Sequence, residues 1–207
     1  MNSDPTVFVV DDDDSVRASL SRLLTASGFH VEAYASAQKF LAEPKGARPG
    51  CLLLDLRMPG IDGLELQDAL SNGNSSQAIV FLTGHGSVSE SVAAMKAGAT
   101  DFLEKPADPS ELVATVKRAI ELDTRQRREA VELADLDRRL EALTAREREV
   151  FERVVAGRLN KQIGYDLGVS EKTVKVHRGR VMEKMEAPSL AELARMAERL
   201  GVGVNSA

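Results

Sequence analysis

Five residues in the front half of the chain have the types needed for phosphoryl chemistry: Asp11, Asp12, Asp55, Thr83 and Lys105. Three carboxylates packed closely repel, and a hard divalent cation relieves that repulsion. Mg2+ suits one or two carboxylates together with waters and a phosphate. A carboxylate can also serve as a phosphoryl acceptor. A Thr hydroxyl and a Lys ammonium would then hold the phosphoryl oxygens. Taken singly, each residue has a plainer use. An Asp after a strand is usually a turn or cap residue, and a Lys-Pro pair such as Lys105–Pro106 is usually a turn. Asp13 and Asp14 read as solvated, with one of them capping the helix that follows.

What gives the five weight is where the elements place them. Short apolar runs recur at Thr6–Val10, His30–Tyr34, Cys51–Leu54, Ala78–Thr83 and Asp101–Leu103. Between them lie helix-like stretches near 14–27, 36–43, 62–71, 87–97 and 109–122. Strand and helix in alternation predict right-handed crossovers and a mostly parallel sheet covered on both faces. Parallel strands buried on both faces read as continuous apolar runs, as in CysLeuLeuLeu and IleValPheLeu. A stack of helices is the alternative, but β-branched content and flanking Gly, Pro and Asp favour strands. The fifth helix has a strong start in Asp108, Pro109 and Glu111. Ligands of such sheets gather beyond the carboxyl ends of the strands. Asp11 and Asp12 follow the first strand, Asp55 the third, Thr83 ends the fourth and Lys105 follows the fifth, so all five are expected at one rim.

Composition limits the alternatives. Of 207 residues, 43% are hydrophobic and 29% charged, and Trp is absent. These are ordinary values for a globular chain. The longest apolar runs are too short to span a bilayer. The opening MNSDPTVFVV has neither a basic start nor a cleavage pattern, so no secretory signal is expected. Cys51 stands alone, which excludes a disulfide framework and a cysteine-based zinc site. The expectation is a cytoplasmic protein with no membrane partner. The net charge of −5 is unevenly spread: residues 1–120 carry 10 basic and 16 acidic side chains, and residues 158–186 carry 7 basic and 4 acidic. Two domains with different partners are expected.

Between them, residues 121–143 contain no Gly or Pro, and 12 of the 23 are charged. Glu121/Arg125, Asp123/Arg127 and Asp135/Arg139 are i,i+4 pairs in the favourable order. Leu133, Leu136, Leu140 and Leu143 repeat at 3, 4, 3. Two uses fit that stripe: docking on the chain's own protein, or a short dimeric coiled-coil seam continuing the fifth helix.

The back of the chain reads as four short helices. Thr144 with Glu147 forms a capping box for a helix to about Ala156, and Gly157 stops it. Asn160 starts a second helix, ending at Gly168. Ser170 caps a third, running to about Met185. Ser189 with Glu192 forms a second capping box. The middle two, joined by LeuGlyValSer, have the form of a helix-turn-helix. In the third helix Val174, Val181 and Met185 share a core face. Lys172, Lys175, Val176 and Gly179 share the opposite one, where Lys175 could reach guanine and Val176 a thymine methyl. Gly179 admits either close backbone approach to DNA or drift, and His177 either a phosphate contact or packing.

The motifs converge on one family. ValValAspAspAsp at 9–13, LeuAspLeuArgMetProGly at 54–60, LeuThrGlyHisGly at 82–86 and AspPheLeuGluLysPro at 101–106 resemble the receiver domain of bacterial two-component response regulators. LeuThrAlaArgGluArgGluVal at 143–150, AsnLysGlnIleGly at 160–164 and ValSerGluLysThrValLysValHisArg at 169–178 resemble the LuxR-type DNA-binding domain. Joined, they resemble a FixJ/NarL-type regulator. That implies an α/β receiver of five parallel strands at 1–122, a helical linker at 123–143 and an all-α four-helix domain at 144–207. It implies Asp55 as phosphoacceptor, with Asp11, Asp12 and the backbone carbonyl of Arg57 completing a Mg2+ site. It implies Thr83 and Lys105 as phosphoryl contacts, and Thr83 with Phe102 as the switch. Phe102 is often Tyr in the family; it cannot hydrogen-bond, so its switching must work by packing. The resemblance also implies a cis Lys105–Pro106 bond. Ala107 stands where a bulkier apolar residue often follows. The DNA-binding set it implies is Lys161, Lys172, Thr173, Lys175, Val176, His177, Gly179 and Arg180. GluAlaPro at 186–188 departs from the commoner Gly and Arg of that turn. The implied partners are a histidine kinase, promoter DNA and a second copy on phosphorylation, with RNA polymerase as a further candidate. The main rival is an enzyme with an Asp nucleophile, such as a phosphatase. It would want a second Asp where Arg57 stands, so no enzyme is expected. An orphan regulator binding DNA without phosphorylation is disfavoured by the intact five-residue site. No G-x-G-x-x-G follows the first strand, which argues against a dinucleotide.

Overall fold

A computed structural model describes residues 5–43, 49–73, 77–84 and 88–203. The chain divides into two compact units, Met1–Arg128 and Glu129–Ala207.

The first unit is a five-stranded parallel sheet with helices on both faces. Its elements are β1 (Thr6–Val10), α1 (Asp14–Ala26), β2 (His30–Tyr34), α2 (Ala37–Ala42), β3 (Gly50–Leu54), α3 (Gly63–Asn72), β4 (Ala78–Thr83), α4 (Val88–Lys96) and β5 (Asp101–Glu104), followed by α5 (Pro109–Glu141). The strand order is β2-β1-β3-β4-β5. β1, β3 and β4 are buried along their whole length, which is why their sequences are unbroken apolar runs. Alternate side chains enter two cores. Val7, Val9, Cys51, Leu53, Val80 and Leu82 pack with Leu24, Leu112 and Val116 of α1 and α5. Phe8, Val10, Leu52, Leu54 and Phe81 pack with Phe40, Leu66 and Ala94 of α2, α3 and α4. Cys51 is fully buried, and burial, helped by the Asp123 charge, pushes its thiol up out of the reactive range.

The chain leaves β1 towards one edge and β3 towards the other, so the order in which it winds across the parallel sheet reverses between them. Register pairs Val10 with Leu54, and the Asp55 backbone N–H donates to the Val10 carbonyl at 2.8 Å. The residues after β1 and β3 are therefore neighbours at the reversal point, where such sheets bind ligands.

α5 runs well past the expected end near 122. Asp108 caps it, accepting from the Ser110 and Glu111 N–H groups. Asp123, the first residue of the expected linker, is fully buried in the first unit. It accepts from the Gly50 N–H at 2.9 Å and from Arg127 Nε at 2.7 Å. Its i,i+4 pair is real, but it also anchors the start of β3.

The second unit contains α6 (Ala145–Val155), α7 (Asn160–Leu167), α8 (Glu171–Lys184) and α9 (Leu190–Arg199), together with the end of α5. Phe151, Ile163, Val174, Val181, Met185 and Leu193 form its core. Leu140 and Leu143 belong to that core, and Leu136 is also buried. Of the two uses open to the leucine repeat, Leu140 and Leu143 show docking on the chain's own protein; Leu133 is the exposed member. In α7, Gly164 lets the turn before α8 close tightly: a Cβ there would lie 2.7 Å from the Val169 carbonyl oxygen. The Ser189–Glu192 cap forms only in one direction. Ser189 accepts from the Glu192 N–H, while the Glu192 carboxylate pairs with Arg195 instead of reaching back.

The Thr144–Glu147 capping box forms in full, and Glu147 also meets Lys184 Nζ at 2.6 Å. The Lys184 hydrogen bond, then the Thr144 N–H, hold the Glu147 carboxyl down at about 2, against an ordinary 4.5. A carboxyl lowered on folding stabilises above its unfolded pKa and loses that contribution as pH falls towards the folded value. Glu147→Gln should therefore cost about 2–3 kcal/mol at pH 7, and the gap to the unsubstituted chain should close between pH 4.5 and 2. Urea unfolding across that range checks it; a constant gap would mean that the charge contributes nothing.

Candidate functional site

The sheet brings the predicted residues together at one rim. Oxygens of Asp11, Asp12 and Asp55 lie within 4.8 Å of one another. Lys105 Nζ lies 2.5 Å from Asp11 Oδ2 and 3.2 Å from Asp55 Oδ1. Asp11 is 2% exposed and Asp55 9%, while Asp12 is open to solvent. Thr83, buried at the end of β4, accepts the Lys105 backbone N–H on its carbonyl at 2.8 Å. The Lys105–Pro106 bond is cis, as the resemblance implied. Phe102 packs its ring against Phe81 at 6.3 Å between centroids. Arg57 follows Asp55 by two residues, and its side chain reaches Glu90 at 3.2 Å. His85 and Gly86 of the fourth motif lie outside the described residues.

The charges are poised rather than cancelled. Burial raises the Asp55 carboxyl and the Asp11 charge adds to this; Lys105 pulls in the other direction without overcoming it. Burial works to lower the Lys105 ammonium, but its bonds to Asp11 and Asp55 outweigh that and raise it. Asp13 is the helix cap: its side chain accepts from the Ser15 and Val16 N–H groups and from the Ser15 hydroxyl, and the hydroxyl bond is the main reason that its carboxyl is lowered. Asp14 pairs with Arg17. An all-oxygen donor set of three adjacent carboxylates, two of them buried with a single ammonium between them, fits Mg2+.

Two supports were not legible in the sequence. Arg17 Nη1 donates to the Asp11 carbonyl at 2.7 Å and braces the loop after β1. Gly63 lets α3 start directly beneath Asp55: its N–H donates to the Leu56 carbonyl at 2.9 Å, and a Cβ there would lie 2.5 Å from the Asp55 carbonyl oxygen. The second gives a signal in principle, a glycine at the first position of a helix, but such glycines are common.

In the second unit α8 has the expected two faces. Val174 and Val181 are fully buried, while Lys172, Lys175, Val176, Gly179 and Arg180 are exposed. Val176 is half exposed on this face. Lys175 meets Glu171 at 3.7 Å, an i,i+4 pair in open solvent that is easily exchanged. A Cβ on Gly179 would meet nothing, so no neighbour within the fold requires this glycine. Thr173 shares its hydroxyl with the Ser170 cap at 2.8 Å. His177 is half-buried with Nδ1 unpaired. Lys161 is exposed on α7, and Arg178 is held by Asn160 at 3.1 Å.

Residues 7–117 match the family described as Response regulator receiver domain, and residues 141–197 match Bacterial regulatory proteins, luxR family. The chain belongs to the response regulators. This response regulator is 46% identical over 196 residues to the transcriptional regulatory protein FixJ of Azorhizobium caulinodans, covering 95% of its own length and 93% of that protein. It is 44% identical to FixJ of Rhizobium meliloti, covering 97% and 98%. Among solved structures it is similar to the response regulator StyR, with a TM-score of 0.85 and 42% identity over 95% of this chain and 100% of that one. It is also similar to full-length FixJ from B. japonicum, with a TM-score of 0.59 and 41% identity over 95% and 97%. The response regulator is a two-component transcription regulator controlled by phosphorylation. The family is one of regulators, not of enzymes. Its receiver implies a histidine kinase partner, and its LuxR-type domain implies DNA. Among the described residues no helix is long and apolar enough to cross a membrane.

Proposed function

We propose that Asp55 accepts the phosphoryl group from a phosphohistidine of a partner kinase in the cytoplasm, and that the modified chain dimerises and binds paired promoter half-sites. The observation that carries this is the convergence of Asp11, Asp12, Asp55 and Lys105 at the reversal point of the sheet. A carboxylate oxygen of Asp55 attacks phosphorus, the P–N bond breaks, and the imidazole leaves with its electron pair. Asp11, Asp12, Asp55 and the Arg57 carbonyl would hold Mg2+, which offsets the negative charge gathered there. Lys105 moves its ammonium from the carboxylates to a phosphoryl oxygen, and the Thr83 hydroxyl takes another. Phe102 follows Thr83 by repacking on Phe81, altering the face formed by α4, β5 and α5. Turning a mostly resting population into a mostly active one takes roughly 5 kcal/mol of differential stabilisation.

The functional boundaries proposed are 1–122 for the receiver, 123–143 for the connector and 144–207 for the DNA-binding domain. Within the last, Lys175 and Val176 read bases. Lys161, Lys172, Thr173, His177, Gly179 and Arg180 meet or approach the backbone. RNA polymerase is a further partner for a promoter-bound dimer. Lys175→Ala should cost about 1–3 kcal/mol at a selected site and relax base preference at one position per half-site. Lys172→Ala should weaken selected and random DNA alike and flatten the salt slope by about 1 per lost contact. Site selection from a randomised pool with both variants is the test. A Lys175→Ala chain that keeps the original base preference and affinity would remove α8 from the reading role.

A further inference from the structure

α8 stops in an unusual way. Its cap is Met185, and the next residue, Glu186, holds a left-handed backbone with φ of 52°. The Ala187 N–H donates to the Met182 carbonyl at 2.9 Å, and the Glu186 N–H to the Glu183 carbonyl at 3.0 Å. This paired pattern usually places glycine where Glu186 stands, because a Cβ in that conformation crowds the following carbonyl. Glu186 is the one non-glycine with positive φ among the described residues.

A side chain from the last turn of α5 meets this strained stop. Arg139 Nη1 donates to the Met185 carbonyl at 3.2 Å, and Nη2 lies 3.0 Å from Glu186 Oε2. Asp135, one turn earlier, holds the same guanidinium at 2.5 Å. Beside it, Lys184 donates to the Ala142 carbonyl at 3.0 Å as well as to Glu147. The Arg139 side chain is 25% exposed and that of Glu186 69%, so the ion pair lies mostly in water, while the bond to the carbonyl of buried Met185 is the shielded contact.

We propose that Arg139 is a positioning residue for DNA recognition: by gripping Met185 and Glu186 it fixes the end of α8, and so the line along which α8 presents Lys175 and Val176. This rests on the reading of α8 as the base-reading helix. Without Arg139 the Met185 carbonyl loses its donor, and nothing from α5 ties down the left-handed turn at Glu186. The end of the helix then loosens. Base contacts carry the sequence information and need α8 aligned with the base edges, whereas phosphate contacts carry none, so discrimination suffers before general affinity does. Glycine at 186 removes both the crowded Cβ and the carboxylate, and the two backbone bonds of the stop then suffice without Arg139.

The test uses the full-length chain with beryllofluoride and Mg2+, a duplex selected by the unsubstituted chain, and a random duplex of equal length. Arg139→Ala is expected to lower the selected-to-random affinity ratio about tenfold. Arg139→Lys should recover part of it, and Arg139→Ala with Glu186→Gly should restore it to within about twofold. A variant that was merely less well folded would lose both affinities in proportion and leave the ratio unchanged. An unchanged ratio for Arg139→Ala, or no rescue by Glu186→Gly, overturns the proposal. Lys175→Ala is measured alongside. If it lowers the ratio and Arg139→Ala does not, the positioning role alone falls; if neither does, the reading helix falls with it.

Discussion

Incubated with a labelled low-molecular-weight phosphodonor and Mg2+, the Asp55→Asn chain should take up more than about a hundredfold less label than the unsubstituted chain. The amide keeps the shape of the side chain but lacks the anionic oxygen that must attack phosphorus, and it is a poorer partner for a hard cation. Unfolding does not explain such a loss. Burial and the Asp11 charge already raise the Asp55 carboxyl, so an ionised Asp55 works against folding at neutral pH. A neutral isostere should leave the urea midpoint of the metal-free chain at or above its original value. Undiminished labelling would move the acceptor to another side chain, with Asp11 and Asp12 the nearest.

Leu140→Asp should cost about 3–5 kcal/mol and melt the second unit selectively. Leu140 is 6% exposed and belongs to the core built on Phe151, Val181 and Met185. A carboxylate there has no cation assigned to it and cannot stay charged without opening the core. Far-UV circular dichroism should show loss of the helices of that unit, and DNA binding should disappear, while Asp55 remains open to labelling. If Leu140 served instead as an exposed seam between copies, the same substitution would leave all the helices in place and change only the oligomeric state. A fully helical monomer would decide for the seam.

The contrast between these sites shows what the sequence could display. β1, β3 and β4 were legible because burial on both faces forces unbroken apolar runs, and their ends located Asp11, Asp55 and Thr83 directly. The Thr144 box and the Ser170 cap were legible because capping is local in sequence. The Glu192 arm of the Ser189 cap was not, since Arg195 competes for the same carboxylate. Asp123 and Arg127 have the spacing of a solvated pair, and nothing nearby in sequence announces Gly50, 73 residues away, as a third partner. The same holds for Lys184 with Glu147, for Arg17 on the Asp11 carbonyl, and for the close approach of Gly63 to Asp55. Long-range polar contacts leave no periodic trace. The leucine repeat does leave one, but a 3-4 spacing marks an apolar stripe without naming what covers it.

If the state of Asp55 sets the affinity for DNA, a single titration shows it. The full-length chain is measured on its selected duplex at fixed salt, with Mg2+ alone and with Mg2+ plus beryllofluoride, and Asp55→Asn is measured under both conditions. Beryllofluoride should tighten binding by at least about tenfold in the unsubstituted chain and have no effect on Asp55→Asn. Equal affinity of the unsubstituted chain in both conditions would contradict it.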